Sequence, residues 1–288
     1  ETAQTGKLVK RGITRILTPG TVLEDRQLDA AHNHFLLAVD FGKRGSSASW
    51  LDLSTGKFFL AHSESPRDFL SILGALSPRE VLIPEGMNKR VAQLEDGALI
   101  ADELDRLFSG VTLTERPDFD FDQRTGAREV MEGLGVMNLE GFGIDLEHHA
   151  LGAAGALLIY AQDVLKGKPG NLSRIEEYCT EDSLLLDPAT QRNLEVFKTS
   201  AQTRKGSLLD AMDSTVTSAG ARLLESYLSS PERNLKEIHR RQSCVLEFSR
   251  APGAVEEVAT ILKTGSDLER ILGRLRNRLV RPRELGGL

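Results

Sequence analysis

Phe35-Leu36-Leu37-Ala38-Val39 is a short unbroken apolar run, the pattern of a strand buried on both faces. Residues 1–34 read as a leading segment: a strand at Leu8–Leu17, the turn signal Thr18-Pro19-Gly20, then a polar stretch to His34. After the apolar run, Ala48–Leu53 and Lys57–Ala61 predict two more strands, joined by the hairpin signal Ser54-Thr55-Gly56. The period then changes. Phe69, Leu70, Leu73 and Leu76 have helical spacing, Glu80–Pro84 is a strand, Leu94–Phe108 an amphipathic helix, Val111–Thr114 a strand and Ala127–Gly133 a short helix. A long helix is predicted from Asp145 to Lys166. Leu146, Ala150, Ala153, Leu157, Ala161 and Val164 mark its stripe, and Leu151, Leu158 and Leu165 widen it enough to be buried on two sides. Hairpin strands followed by alternating helix and strand predict an α/β unit with a mixed sheet flanked by helices.

Gly167-Lys168-Pro169-Gly170 stops the long helix, and beyond it the pattern is nearly all helical. Asp187-Pro188 is a helix start, because Asp caps open N–H groups and Pro lacks the N–H that the first turn cannot use. Helices are predicted at Gln191–Phe197, Ser207–Asp213, Ser218–Ser229, Leu235–Arg250, Ala254–Lys263 and Leu268–Leu279, with Pro231 and Pro252 between them. The expected organisation is a leading linker at 1–34, an α/β domain at 35–170 and a helical domain at 171–288. Two domains also suit 288 residues, since single cores stop growing near ~250–300 residues.

Charge divides along the same lines. The formal net is -6, yet Val91–Ala150 holds 14 acidic against 4 basic residues, while Lys263–Leu288 holds 7 basic against 3 acidic. An acidic total argues against a protein that merely coats nucleic acid. Cys179 and Cys244 are too few for a disulfide framework or a zinc module, and read as small buried hydrophobes in a reducing compartment. The chain holds no apolar run of membrane length, begins without Met or a basic-then-apolar stretch, and stops after Arg281-Pro282-Arg283-Glu284-Leu285-Gly286-Gly287-Leu288; the expectation is an excised piece of a longer cytoplasmic protein without a signal peptide.

Asp40 ends a buried strand, which is how ribonuclease H-like nucleases place the first of several carboxylates that hold two metal ions. Asp145 is a candidate second ligand, and Glu103 or Asp120 a third; the same acids also read as a strand end, a helix cap and a solvated face. No Gly-x-x-x-x-Gly-Lys-Ser/Thr run occurs, and Asp40-Phe41-Gly42 lacks every other kinase element. His148 and His149 are adjacent and point apart on a helix, a poor metal pair. Arg270, Arg274 and Arg278 recur every four residues, with Arg281 and Arg283 beyond: a basic face for DNA phosphates, a missing domain, or solvent. No aromatic residues interleave with it, so the stacking signature of single-strand binders is absent.

The second half carries motifs of a known family. Tyr178-Cys179-Thr180-Glu181-Asp182-Ser183-Leu184-Leu185-Leu186-Asp187-Pro188 through Glu195 resembles the start of the core, or lever, domain of the MutS family of bacterial DNA mismatch-repair proteins. Gly206-Ser207-Leu208-Leu209, then Asp213-Ser214-Thr215-Val216-Thr217-Ser218-Ala219-Gly220-Ala221-Arg222-Leu223-Leu224, is similar to the family's most recognisable core stretch. Gly6–Arg11 and Leu17–Thr21 look like the join between its mismatch-reading and connector domains. Ala219, Tyr227 and Glu232 depart from the usual Met, Trp and Leu.

The resemblance implies a ribonuclease H-like connector without nuclease activity, followed by part of an all-α core. It implies MutL as the connector's partner, with DNA binding and homodimerisation as properties of the whole protein and a monomer for this stretch alone. ATP and Mg belong, on this resemblance, to a further ATPase domain, and the mismatch-wedging Phe-x-Glu motif does not occur here. No catalytic residue is expected. Within the core stretch Asp213 and Thr215 are motif positions, Thr217 reads as a helix N-cap and Gly220 as a close-packing position. Arg222 reads as a ligand for a helix end or a carboxylate, and Leu208, Leu209, Leu223, Leu224 and Leu228 as core-facing.

Overall fold

Leu36–Val39 are completely buried in the centre of β1 (Phe35–Gly42). The computed structural model describes residues 16–23, 28–42, 44–179 and 183–286, and among these it sets β1 in a six-stranded mixed sheet of order β5-β4-β1-β2-β3-β6. β2 (Gly45–Asp52) runs antiparallel to β1, from Phe35 opposite Asp52 to Gly42 opposite Gly45, and β3 (Lys57–Ser63) runs antiparallel to β2. β4 (Glu80–Pro84) is parallel to β1 and β5 (Thr112–Arg116) parallel to β4. Parallel neighbours need crossovers. α1 (Pro66–Gly74) supplies one; α2 (Met87–Val91) and α3 (Gly97–Leu107) supply the other.

Alternation along the strands divides the core between two faces. Leu37, Val39, Trp50 and Val81 pack with Phe69 and Ile72 of α1 and Ile100 and Leu104 of α3. Leu36, Ala38, Leu51 and Leu82 pack against α4 (Gln123–Leu134) and α5 (Leu151–Leu165). α4 and α5 touch through glycines: a Cβ on Gly126 would lie 2.0 Å from the Leu151 carbonyl oxygen, and one on Gly155 2.3 Å from the Gly126 Cα.

The long helix starts later than its apolar stripe predicts. Asp145 accepts from Glu147 N through its side chain (2.7 Å) and from His148 N through its carbonyl (3.0 Å), which makes residues 145–148 a turn and leaves Leu146 half-exposed. The sheet also continues past Gly170, because β6 (Glu176–Glu177) adds parallel to β3. Of the strand predicted at Leu8–Leu17, all but Ile16 and Leu17 lies outside the described residues, as does Gly6–Arg11.

The second half is helical: α6 (Pro188–Asn193), α7 (Leu208–Met212), α8 (Ser218–Ser229), α9 (Leu235–Ser249), α10 (Pro252–Lys263), α11 (Leu268–Arg276) and α12 (Pro282–Leu285). Asp187, Ser207, Thr217, Asn234 and Asp267 each cap a helix by accepting from a backbone N–H of its first turn. Leu209 is buried, but Leu208 and Leu223, which helical spacing placed in the core, are 43% and 51% exposed. α7 is barely one turn long and offers only one side to the protein, while α9 and α10 bury none of their residues. Cys179 and Cys244 are exposed rather than buried, Cys179 just past the two-residue β6 and Cys244 on α9. No helix of the described residues is long and apolar enough to cross a membrane.

Candidate functional site

Two arginines with almost no exposed surface, Arg222 on α8 (1%) and Arg270 on α11 (2%), meet the leading segment before β1. Arg222 grips Asp267, the N-cap of α11, with both terminal nitrogens (2.7 and 3.0 Å), a bidentate match of planar fork to planar carboxylate. The same nitrogens donate to Glu269 (2.9 Å) and to the Ala30 carbonyl (2.9 Å). Arg270 donates to the carbonyls of Asp29 (3.0 Å) and His32 (2.7 Å). His32 lies 3.1 Å from both carboxylate oxygens of Glu225 on α8, and that bond, with Glu225's charge, raises the imidazole above its ordinary pKa. Residues 29–32, α8 and α11 are thus held by a single buried joint. Buried guanidinium needs such partners; without them its desolvation is unrecovered.

The joint accounts for part of the predicted basic face. Arg270 and Arg274 point inward, since the side of α11 that carries them is the side that packs; Arg274 is 3% exposed and donates to Glu284 of α12 (3.3 Å). Neither presents charge to a phosphate. Arg278, Arg281 and Arg283 are exposed. Of the core motif, Asp213 accepts from Thr215 N (3.0 Å) and Oγ1 (2.6 Å) and pairs with Arg204, while Thr217 Oγ1 accepts from Gly220 N (3.1 Å).

Other contacts join the two halves. Arg192 of α6 pairs with Glu103 of α3 (2.7 Å), and the hydroxyls of Tyr178 and Ser230 are 2.6 Å apart. A Cβ on Gly273 would lie 2.1 Å from the Ser54 carbonyl oxygen, so α11 rests directly on the β2–β3 turn. Asn277 Oδ1 accepts from Gly170 N (2.8 Å). Two of the three departures from the family pattern, Tyr227 and Glu232, share one contact: Arg241 lies 4.0 Å over the Tyr227 ring and donates to Glu232 (3.2 Å).

The acids of the first half do not assemble as a metal site requires. Asp40 is engaged by Arg90 (2.6 Å), which also pairs with Asp118; burial raises the Asp40 carboxyl while Arg90 opposes that rise. Asp120 accepts from Arg116 (2.9 Å), Glu103 is taken by Arg192, and Asp145 closes its own turn. Among the described residues no group of three or more His, Cys, Asp or Glu is arranged to hold a metal ion. The two-metal nuclease arrangement on Asp40 and Asp145 therefore finds no support.

What the geometry defines is a mixed-sheet unit joined to a helical unit through buried charge, with the segment leading into the sheet clamped at the join. The family model for MutS domain II matches residues 34–176, and that for MutS domain III matches residues 189–288. A DNA mismatch repair protein MutS from Symbiobacterium thermophilum is 37% identical over 272 residues, covering 93% of this chain and 30% of its own length. Those of Myxococcus xanthus (37%; 93% and 29%) and Syntrophobacter fumaroxidans (34%; 98% and 31%) match similarly. The chain belongs to the MutS family and spans about 30% of the length of these curated relatives.

Proposed function

We propose that the chain is the connector and lever portion of a mismatch-recognition ATPase, passing conformational change between the DNA-reading and ATP-hydrolysing ends of the whole protein. The observation that carries this reading is the arginine joint. A change in the direction of the leading segment must pull on α8 and α11 through Arg222 and Arg270, and a change in the helices must pull back. The strand order, with β2 antiparallel in an otherwise parallel central set, supports a ribonuclease H-like reading of the first unit. Its acidic surface supports docking of MutL. ATP and Mg bind elsewhere in the whole protein, as do the main DNA and dimer contacts, and Arg278, Arg281 and Arg283 are the residues left to meet phosphate or a neighbouring domain.

In the whole protein, Arg222→Met with Arg270→Met leaves basal ATP hydrolysis and duplex binding in place and removes the response of hydrolysis to a mismatch. An unchanged mismatch response would overturn the lever reading. MutL retention by the immobilised protein, compared with charge reversals at exposed acids between Val91 and Ala150, tests the docking reading; retention indifferent to those reversals contradicts it.

A further inference from the structure

We propose that the open edge of β5, with the groove between β5 and α3, takes up an extended basic–apolar segment of another protein as an added strand. β5 is the last strand of the sheet: it pairs with β4 from Glu80 opposite Thr112 to Pro84 opposite Arg116, and no described strand lies on its other side. An edge of this kind offers unpaired N–H and C=O groups, and proteins usually blunt it with Lys, Pro or a covering element. Thr112-Leu113-Thr114-Glu115-Arg116 contains neither Lys nor Pro, and of its two charges Arg116 is turned to Asp120 and Asp163, which leaves the acid Glu115 on the groove side for a basic ligand to meet. The opposite edge of the same sheet is different, since β6 reduces it to two residues.

Alternation puts Leu113 and Glu115 on one face of β5, while Thr114 and Arg116 turn to the other, where they bond Glu80 and Asp120. Leu113 is 51% exposed, an apolar side chain beside an unpaired backbone. Next to it runs a groove of about 970 Å³ with Ile83, Met87, Val91, Leu104 and Phe108 along its floor. The groove stays open because α3 turns Ala98 and Ala101 toward it, side chains too short to close it. Its charged lining residues, Asp105 and Glu115, are both acidic and lie in the stretch with 14 acids against 4 bases. Backbone pairing supplies affinity, and alternate side chains supply selection: apolar into the groove, Lys or Arg beside Asp105 and Glu115. A second copy is disfavoured, because edge-to-edge pairing would bring two acidic faces together. Five strand residues set the footprint at roughly five residues of ligand, about 3.3 Å each. This goes beyond the MutL reading, and its test reads a different quantity.

The test uses a fluorescein-labelled peptide alternating Lys with Val and Leu, and a control with Glu in place of Lys. Anisotropy measures affinity, and hydrogen exchange measures protection of amides 112–116. The basic peptide binds and slows exchange at β5. Ala101→Phe, which fills the groove from an exposed helix position, and Asp105→Lys with Glu115→Lys each weaken it at least about tenfold, roughly one buried anchor or charge pair. No binding at millimolar peptide, equal binding of the Glu control, or indifference to both variants overturns the proposal. Concentration-dependent protection of β5 without peptide assigns the edge to a second copy and overturns it as well.

Discussion

Glu80 is 1% exposed on β4, and three donors converge on its carboxylate: Tyr160 Oη of α5 (2.6 Å), Thr114 Oγ1 of β5 (2.8 Å) and Gly20 N of the leading segment (3.0 Å). Burial and this bond push the Tyr160 phenol up to about 12, so it remains a donor throughout the working pH range. Tyr160→Phe keeps the ring and removes one donor from a buried acceptor, at a cost of about 1–3 kcal/mol in denaturant unfolding. A Tyr160→Phe variant as stable as the parent would show that this bond contributes nothing. Arg90 works on Asp40 in the opposite sense to burial, so Arg90→Met moves the Asp40 carboxyl still higher, read as a later midpoint in a carboxyl NMR titration. His32 is raised by Glu225. Its stabilising contribution is therefore full below the unfolded value near 6.5 and is lost as pH rises through the higher folded value. Unfolding free energy measured across that window declines in the parent, and the decline is absent in His32→Gln.

At the scale of elements, hydrophobic period and breaker residues were enough to place β4 at Glu80–Pro84 and α8 at Ser218–Ser229. The start of α5 was not legible, because Leu146 and Ala150 continue the apolar stripe into a turn that Asp145 closes locally. Glycine contacts were likewise invisible, since what Gly273 approaches, the Ser54 carbonyl, lies far off in sequence. Gly273→Ala forces α11 away from the β2–β3 turn. Overpacking of this kind costs about 1–3 kcal/mol, and the variant melts lower than Gly286→Ala, where the nearest atom to the new Cβ is 3.8 Å away.

For the whole molecule, the family motifs were readable, and so was Arg222 as a ligand for a helix end or a carboxylate, but its partners and the joint it makes with Arg270 were not. A basic residue every fourth position describes a solvated face as well as an inward one, and the leading-segment carbonyls that Arg222 and Arg270 meet, those of Ala30 and Asp29, lie 192 and 241 residues away. Nothing in the local pattern distinguishes the exposed Arg278 from the buried Arg274. The split charge has a structural counterpart: the acidic stretch includes α3 and the open sheet edge, while two of the seven bases in the basic stretch, Arg270 and Arg274, are consumed internally. Replacing Arg222 takes away the guanidinium that Asp267, Glu269 and the Ala30 carbonyl share, while Asp267 keeps its cap bond from Arg270 N and Glu269 its pairing with Lys57. The cost lies toward the lower end of about 3–5 kcal/mol, because both carboxylates keep some solvent.

Whether the joint binds the leading segment to the helices as one unit is read most directly by hydrogen exchange on the chain with and without Arg222→Met. If it does, the amides of residues 28–34 and those of α11 lose protection together, while β1 and β4 keep theirs. Loss confined to α8, with residues 28–34 and α11 unchanged, would contradict the account.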